Sequence, residues 1–526
     1  MYSEEKGNLL KRGSGSHFVI IFFLSFVLSK LFSMAFNKIF TNVLTKTEMG
    51  RYAIFISAIT TIFTYSTLGF PAALNRFTVT YKERKQLENL KNFLTTGFII
   101  FLAAELTITS ILIILYYTTG FTPKFLNIEP YIITLIIVSL VAITQIFSTM
   151  CYVIASALQN SRYYAIIMIM RVFLQIPFGF LFVVFLNLGV FGLILGLLLS
   201  EFIVALYSFY YLVKDVGIGK FSWEEGKAML SFSVPGYIAA IFISSFDLGL
   251  KVFVDYVFPA EGKEIIALYQ YGALAVVNIL LVAGNLFRVV YRPIIFKYFE
   301  QKKYREIQTL TITISKLFTI TIVFSAIFLF AFSPLLIPFL TKSSYLSSIS
   351  VIPILMLSTI IGYLRTLITY GHTLYYKNYW NAIAAITAII ISAIIGYFII
   401  PTLGLIGLGL VYLSLTSIQF FILFFVSQHY FKVKFEIKLI IKILVLCGVS
   451  MGTGIIFNVT IFSFSEHSLI YSFLLSSFIY IIGIFPLRLI GKKDIEFLKS
   501  VIKTYINIIK SKNSLEKKNS KKKNRH

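Results

Sequence analysis

Apolar stretches of about 20 residues recur along most of this chain and are separated by short polar gaps. About 20 apolar residues let one helix cross the hydrocarbon core of a bilayer. A helix also satisfies its own backbone hydrogen bonds, which lipid cannot do. The pattern therefore predicts an all-α integral membrane protein with about 14 transmembrane helices. The predicted spans are 17–40, 50–75, 92–116, 131–156, 163–186, 188–212, 232–255, 266–291, 309–339, 349–371, 378–400, 403–427, 438–458 and 467–489.

Lysine and arginine collect in every second gap. The gaps that follow the even-numbered spans hold eighteen of these residues, and the alternate gaps hold five. Because positively charged loops stay on the cytoplasmic side, the bias predicts that both termini are cytoplasmic. The protein is thus expected to be a multi-pass protein of the cell (cytoplasmic) membrane. The longest outward loop, near Thr118 to Pro130, is about a dozen residues and leaves no room for an outer catalytic domain.

Composition supports a membrane protein and argues against several other classes. The chain of 526 residues is 58% hydrophobic and 13% charged, and its net charge of +25 comes from loops and tail. We attribute that charge to membrane topology, so no nucleic-acid partner is predicted. Cys151 and Cys447 lie in apolar stretches and predict neither a disulfide nor a metal site. Gly217 to Lys220 is too short for a phosphate-binding loop, and His372 is expected to be solvated. No cofactor and no enzymatic activity are predicted.

The chain repeats part of its own sequence. Residues Asn187 to Leu193 resemble residues Thr402 to Leu408, 215 positions later, and each string joins two predicted spans. Gly192 and Gly196 add a small-residue spacing that lets helices meet closely. Two parallel six-helix lobes, with a substrate path at their interface, are typical of transporters. The predicted parts are a cytoplasmic N-terminus (1–16), a first lobe (17–212), a cytoplasmic linker (213–231), a second lobe (232–427), two extra spans (438–489) and a basic amphipathic or disordered cytoplasmic tail (491–526).

Several short motifs carry a family resemblance. They lie at Thr45 to Tyr52, Leu68 to Arg76, Leu230 to Pro235, Leu336 to Leu340 and Ile400 to Gly407. In order and spacing they resemble stretches of the polysaccharide-type flippases of the multidrug/oligosaccharidyl-lipid/polysaccharide exporter superfamily. The resemblance implies a MATE-like fold with a central cavity lined largely by spans 1, 2, 7 and 8. It also implies that the cargo is a lipid-linked oligosaccharide, moved from the inner to the outer leaflet.

Ionisable and amide side chains within the spans are the candidate binding site. Each charge costs roughly 2.5–3.5 kcal/mol at the centre of a spanning helix, so such residues commonly have a function. A phosphate or pyrophosphate headgroup needs cations, which Lys and Arg supply. Asp247 and Lys251 are four residues apart and share one helix face, so the acid would orient the base. The candidate substrate-binding residues are Lys30, Asn37, Asp247, Lys251, Asn285 and Arg288.

Those side chains have a second interpretation, as structural ion pairs between helices or as groups that reach for the interface. We favour a structural role for Glu105, Arg171, Glu201 and Arg365 and expect Lys38 to reach outward. Span 1 has no acidic residue, which differs from the drug-exporting relatives. The expected partners are the lipid-linked oligosaccharide and membrane lipids, and the sequence is compatible with a monomer.

Three other functions stay open. A peptidoglycan-precursor lipid flippase and a cation-coupled small-molecule exporter belong to the same superfamily. A membrane glycosyltransferase or polymerase would need a large outer loop, which the sequence lacks. The driving force is also open between the membrane potential, consumption of the glycan outside, and a counter-ion at Asp247. Asn458 begins a glycosylation sequon, and its modification is left open.

Overall fold

The computed structural model describes residues 15–119, 131–158, 160–280, 301–375, 379–431, 437–457 and 466–484, with isolated positions beside these ranges. Within them the chain is helical and contains no strand. Eight helices are long and apolar enough to cross a membrane, or nine if one pair bent by 52° counts as a single span. The predicted all-α membrane fold is confirmed. The count of fourteen spans is compatible with the described helices and stays a prediction.

The helices follow the predicted order. They are α1 (Gly15–Val43), α2 (Lys46–Thr67), α3 (Phe70–Glu83), α4 (Leu87–Thr119), α5 (Tyr131–Ala157), α6 (Ser161–Phe180), α7 (Gly189–Asp215), α8 (Trp223–Val257), α9 (Gly262–Ala267), α10 (Tyr304–Ala331), α11 (Ser333–Leu340), α12 (Ile352–Ile368), α13 (Tyr370–Thr373), α14 (Tyr379–Tyr430), α15 (Ile437–Phe457) and α16 (Glu466–Ile484). A π-helical turn follows α6 at Leu181–Phe185, another follows α9 at Leu268–Ala273, and a 3₁₀ helix at Ser343–Val351 precedes α12.

The two halves pack their helices in the same way. In the first half α1 lies against α6, with the Phe32 and Phe173 ring centroids 5.2 Å apart. In the second half α8 lies against the start of α14, where Phe253 stacks on Tyr397 at 6.0 Å. Gly189 and Gly404 open the equivalent turns of the two halves, on the predicted outer side, with φ values of +52° and +51°. Only glycine adopts such values at little cost, so the repeat in sequence is also a repeat in backbone geometry.

The two C-terminal helices, α15 and α16, form a pair beside the second half. Tyr480 of α16 stacks on Phe324 of α10, with the ring centroids 4.2 Å apart. Its hydroxyl donates to the Ile320 carbonyl oxygen at 2.8 Å. A buried Tyr hydroxyl needs such a partner in a non-polar environment. The extra pair therefore packs on α10.

The predicted second span, 50–75, is not one continuous helix. It breaks at Leu68 and Gly69, whose φ values of +48° and +77° are left-handed, and α3 then starts with Pro71 in its first turn. A Cβ atom on Gly69 would lie 2.5 Å from the Ser233 Cβ atom of α8. Hydropathy cannot detect such a break, because the residues on both sides of it are apolar. The upstream end also differs: α2 begins at Lys46, because Thr45 and Glu48 form a capping box.

Two other predicted spans differ in their ends. Span 9, expected over 309–339, divides at Phe332 into α10 and α11, and Pro334 occupies the first turn of α11. Proline fits a first turn but disrupts a helix interior. Span 7, expected from 232, begins as α8 at Trp223, within the segment assigned to the linker. Its first turns are polar, with Ser222 as the N-cap and Glu224 and Glu225 behind it, so hydropathy does not detect them.

Candidate functional site

Asp247 and Lys251 form an ion pair on α8. The Lys251 Nζ atom lies 2.9 Å from the Asp247 Oδ2 atom, and the two residues are one helical turn apart, as their spacing predicts. The Lys251 side chain is 5% exposed and the Asp247 side chain is 37% exposed. A buried ammonium group without a carboxylate partner would be strongly unfavourable. The pair therefore neutralises Lys251 while leaving part of the carboxyl group open.

Residues from both halves of the chain complete this cluster. Ser57 of α2 donates to Asp247 Oδ2 at 2.7 Å and accepts from Lys251 Nζ at 2.6 Å. Tyr412 of α14 donates to Asp247 Oδ1 at 2.5 Å. The carboxylate thus accepts hydrogen bonds from three residues on three helices. Together, Ser57, Asp247, Lys251 and Tyr412 are called the α8 charge cluster below.

An aromatic layer supports the cluster. The Tyr269 ring, in the π-helical turn after α9, stacks on the Tyr412 ring with centroids 5.2 Å apart and planes 14° apart. Phe246 meets Tyr412 edge-on at 6.5 Å. Tyr269 is 3% exposed and Tyr412 is half-buried, so the stack lies largely inside the protein. Packed rings restrict the rotamers of Tyr412 and hold its hydroxyl on the carboxylate.

The contact between α2 and α8 is polar along its length. The Tyr65 hydroxyl and the Ser245 hydroxyl are 2.6 Å apart, and Tyr237 donates to the Tyr65 carbonyl oxygen at 2.6 Å. Thr61 donates to the Ser244 carbonyl oxygen at 3.1 Å. Hydroxyl groups act as interhelical hydrogen-bond donors in membranes. The first and second halves of the chain thus meet through hydrogen bonds, and the α8 charge cluster is part of that contact.

The other predicted site residues are not joined to the cluster. Lys30 of α1 is half-buried, with its Nζ atom 5.7 Å from the Phe26 ring centroid, and no ion pair links it to a described residue. Asn37 is half-buried, and its carbonyl oxygen accepts from Thr41 at 2.6 Å. Asn285 and Arg288 lie outside the described residues. The structure therefore brings Asp247 and Lys251 together, and the roles of all six residues stay predictions.

Lys30 and Asp247 occupy corresponding positions in the two halves. Gly50 to Tyr52 has a looser counterpart in Ala267 to Tyr269, 217 residues later, and the same offset relates Lys30 to Asp247. Their helices, α1 and α8, pack on equivalent neighbours. At this offset, span 1 has a lysine where span 7 has an aspartate.

Of the residues interpreted as structural, Arg171 and Glu201 pair as expected. The Arg171 Nε and Nη2 atoms donate to Glu201 Oε1 at 2.9 and 2.8 Å, between α6 and α7. The Glu201 side chain is 5% exposed. Among the described residues, neither Glu105 nor Arg365 has an ion-pair partner. The ion pair supports a structural role for Arg171 and Glu201. No corresponding ion pair among the described residues supports that role for Glu105 and Arg365.

The expectation that His372 is solvated is wrong. His372 is fully buried, with Nδ1 2.8 Å from the Ser427 hydroxyl and Nε2 3.2 Å from the Asn381 side-chain oxygen. A Cβ atom on the adjacent Gly371 would lie 2.8 Å from Ser427. This close approach of α13 to α14 encloses the ring. Sequence position near a polar gap did not reveal it, because burial here depends on a neighbouring helix.

Lys38, which was expected to reach outward, contacts a helix of the second half. Its Nζ atom donates to the carbonyl oxygens of Pro338 at 2.5 Å and Thr341 at 2.8 Å, at the end of α11. Carbonyl groups at a helix C-terminus lack intrahelical partners and carry partial negative charge. Lys38 thus caps a helix of the second half from a helix of the first half. The carbonyl acceptors were invisible to a side-chain pattern.

Sequence reasoning missed three residues of the candidate site. Ser57, Tyr269 and Tyr412 hold the charged pair in place. Ser and Tyr are frequent in these spans, so their identity gave no signal. The one available indication was the alignment of Tyr269 with Tyr52 in the repeat.

Comparison with known proteins gives fold relatives only. No family model and no curated protein matches this sequence. A solved structure, "Lipid II flippase MurJ, inward closed conformation", shares 18% identity and a TM-score of 0.67, covering 89% of this chain and 97% of that one. A Vibrio cholerae MATE transporter shares 14% identity and a TM-score of 0.56, covering 79% and 97%. A Pyrococcus furiosus transporter of the MOP superfamily shares 15% identity and a TM-score of 0.53, covering 81% and 97%.

Proposed function

Starting from this two-lobed fold, which solved MurJ and MATE structures share, we propose that the protein is a flippase. It moves a lipid-linked saccharide from the inner to the outer leaflet by alternating access, with both termini in the cytoplasm. The observation that carries the proposal is the α8 charge cluster, which sets a buried cation within a hydrogen-bonded contact between the two halves. In a membrane such a residue marks a path for polar cargo more often than a structural need.

The cargo headgroup is an anion, and the cluster suggests how it is held. Asp247 neutralises Lys251, so the cation does not remain unpaired in a non-polar environment. An arriving phosphate competes with the carboxylate for the ammonium group. Asp247 then weakens the hold on the phosphate, which favours release on the other side. Lys30 and Arg288 supply further positive charge in the proposal.

Binding and lobe movement are linked through Ser57. Because Lys251 is 5% exposed and donates to Ser57 of α2, a phosphate reaches it only when α2 and α8 separate. Separation breaks the contacts of Ser57 with both charged residues. A headgroup that replaces these contacts compensates for their loss. The cargo therefore stabilises the arrangement in which the halves have moved apart, as alternating access requires.

A peptidoglycan-precursor lipid is the second candidate cargo. The structure titled as a lipid II flippase has a TM-score of 0.67, above the 0.56 of the Vibrio cholerae MATE transporter. Lipid II also joins a saccharide to a lipid through pyrophosphate, so the same cation chemistry applies. Membrane lipids are the other expected partners, no cofactor is required, and a monomer is sufficient.

The test uses the full chain in liposomes with a fluorescent polyprenyl-pyrophosphate oligosaccharide, and lipid II as a second cargo. We expect Lys251→Gln and Arg288→Gln each to slow flipping by about tenfold, because one charge-assisted hydrogen bond contributes roughly 1.5–3 kcal/mol. The matched control is Lys227→Gln, an exposed lysine on the same helix. Undiminished flipping by both variants at wild-type protein levels removes these residues from the site. Transport of lipid II alone selects the second cargo.

A further inference from the structure

Glu105 is a fully buried carboxyl group in the middle of α4. It is the only charged residue between 92 and 119. The facing stretches, 53–67 of α2 and 132–157 of α5, contain no Asp, Glu, Lys, Arg or His. No ion pair joins Glu105 to any described residue. Its charge is therefore not balanced by the helices that enclose it.

The charged groups of the other segments that pack on α4 lie toward its predicted cytoplasmic end. There, α3 packs through Phe70 and Phe77 on Phe93, and α8 packs through Gly226 on Ile100. The charged groups of those segments are Arg76, Lys82, Glu83, Glu224, Glu225 and Lys227. The titratable groups of the enclosing stretches are Tyr65 on α2, Tyr116 and Tyr117 on α4, and Cys151 and Tyr152 on α5. The described polar contacts of the Glu105 carboxyl group are instead with hydroxyl groups.

Hydroxyl groups from three helices surround the carboxyl group instead. Ser66 of α2 hydrogen-bonds Glu105 Oε2. Thr109 of α4 and Ser139 of α5 hydrogen-bond each other and lie beside the same group. The Oε1 atom is buried and has no hydrogen-bond partner of good geometry. Hydroxyl oxygens accept as well as donate, so a proton on Oε1 has an acceptor within reach.

Physical chemistry decides between the two forms of this group. An isolated carboxylate in a non-polar interior carries a desolvation cost that it avoids by taking up a proton. Hydroxyl groups reduce that cost but do not cancel a charge. A metal ion is less suited, because one carboxylate and a few hydroxyls give few of the oxygen ligands that hard cations take. The neutral acid is the form that fits this enclosure.

We infer that Glu105 is a proton-binding site, loaded and unloaded as α2 moves, and that it couples the movement of the halves to a proton gradient. The coupling part rests on the proposed function, whereas the proton site does not. In the exchange step the carboxyl O–H bond breaks and the proton passes to water on the side to which the site opens. The carboxylate is later protonated by water from the opposite side.

Glu105 is connected directly to α2 through a hydrogen bond with Ser66. Ser66, which holds Glu105, is two residues before the left-handed break at Leu68 and three before Gly69. Tyr65, its neighbour, is hydrogen-bonded to α8 through both its hydroxyl and its carbonyl oxygen. The enclosed carboxyl group meets water only when α2 or α5 shifts. A shift of α2 at its break also strains the contact with α8, so proton exchange and lobe movement use the same helix.

Infrared difference spectroscopy on the purified full chain tests the proton site without any transport. A pH change should reveal the C=O stretch of a protonated carboxyl group in the wild type. That band is expected to disappear in Glu105→Gln, to shift in Glu105→Asp and to persist in Glu88→Gln. Glu88 is the matched control because it lies on the same helix with its side chain 75% exposed. A band that is unchanged in Glu105→Gln, or one that responds to Na⁺ but not to pH, overturns the proton site.

Flipping in liposomes with an imposed pH difference tests the coupling. One pH unit corresponds to about a tenfold change in proton activity. We therefore expect a pH difference of one unit to raise the flipping rate of the wild type and of Glu88→Gln by at most about tenfold. Glu105→Gln should lose that stimulation. Equal stimulation of Glu105→Gln and wild type overturns the coupling. A wild type that flips neither cargo refutes the proposed function, while the infrared result still decides the proton site.

Discussion

At the scale of single residues, the charges of this protein depend on their partners. Lys251 is almost completely enclosed, yet its ammonium group has both a carboxylate and a hydroxyl within hydrogen-bond distance. A buried ion pair contributes little net stability compared with a non-polar pair of similar volume. Removal of one partner is costly because the other is left charged. The intact pair is thus expected to add little to stability, although the loss of either partner is costly.

Replacement of Asp247 should show this asymmetry. We expect Asp247→Asn to reduce the free energy of unfolding by up to about 3 kcal/mol, because Lys251 loses its counter-charge. The solvent exposure of the carboxyl group keeps the loss below that limit. The double variant Asp247→Asn with Lys251→Met should recover most of the loss. Thermal unfolding in detergent measures it, with Glu224→Gln, an exposed acid on the same helix, as the control. Equal stability of Asp247→Asn and wild type would contradict the importance of the pair.

A second prediction at this scale concerns the hydroxyl group of Tyr412. Tyr412→Phe keeps the stack on Tyr269 and removes one hydrogen bond to a carboxylate, so we expect a loss of about 1.5–3 kcal/mol. The control is Tyr256→Phe, whose ring is 80% exposed on α8. The same thermal measurement compares the two. A loss no larger than that of Tyr256→Phe would mean that the hydroxyl bond is not significant.

At the scale of helices, glycine determines where the spans turn. Gly404 has φ +51° and ψ −116°, inside a run that is otherwise helical from Tyr379 to Tyr430. Side chains with a Cβ atom rarely adopt this conformation. A Cβ atom on Gly407, just beyond, would lie 2.8 Å from the Ile399 carbonyl oxygen. Glycines thus permit both the turn and the close return of the chain.

Alanine at the two glycine turns, Gly189 and Gly404, should therefore destabilise the protein. We expect Gly404→Ala and Gly189→Ala to cost about 1–2 kcal/mol each, since both positions have positive φ. Gly249→Ala is the matched control, because it lies within α8 and a Cβ atom there meets nothing within 4 Å. At that position alanine should be neutral or raise stability by up to about 1 kcal/mol. A stabilised Gly404→Ala variant would refute the strain argument.

At the scale of the whole molecule, a second set of contacts between the halves lies on the predicted outer side, beyond the α2–α8 contact. The Lys38 Nζ atom donates to two carbonyl oxygens at the end of α11, and the Lys46 Nζ atom lies 3.2 Å from the Glu264 Oε2 atom. A Cβ atom on Gly50 would lie 1.9 Å from the Lys263 carbonyl oxygen, so α2 meets α9 backbone to backbone. The exposed Lys46–Glu264 pair adds little, roughly 0.2–1 kcal/mol. The close backbone approach and the Lys38 contacts therefore hold this side together.

Loss of the Lys38 contacts should loosen this side. Spin labels at Asn42 and Ser344, both exposed, report the distance across it, and the two native cysteines are buried and do not react. We expect Lys38→Met to increase the population with longer label distances, because two carbonyl groups lose their donor. Lys30→Met, the same change on the same helix, should leave the distribution as in the wild type. If Lys38→Met and Lys30→Met give the same distribution of label distances, Lys38 does not help to hold this side together.

The sequence by itself determined the class of the molecule, because bilayer thickness fixes the length of a span and because repeated strings persist in the backbone. It also placed Asp247 and Lys251 on one face, since that follows from helical spacing alone. The tertiary structure decided which groups face each other: Ser57 and Tyr412 around Asp247, carbonyl groups around Lys38, and hydroxyl groups around Glu105. These partners lie up to about 300 residues apart and include backbone atoms that every residue has. No local pattern encodes such pairings, because they arise from the packing of whole helices.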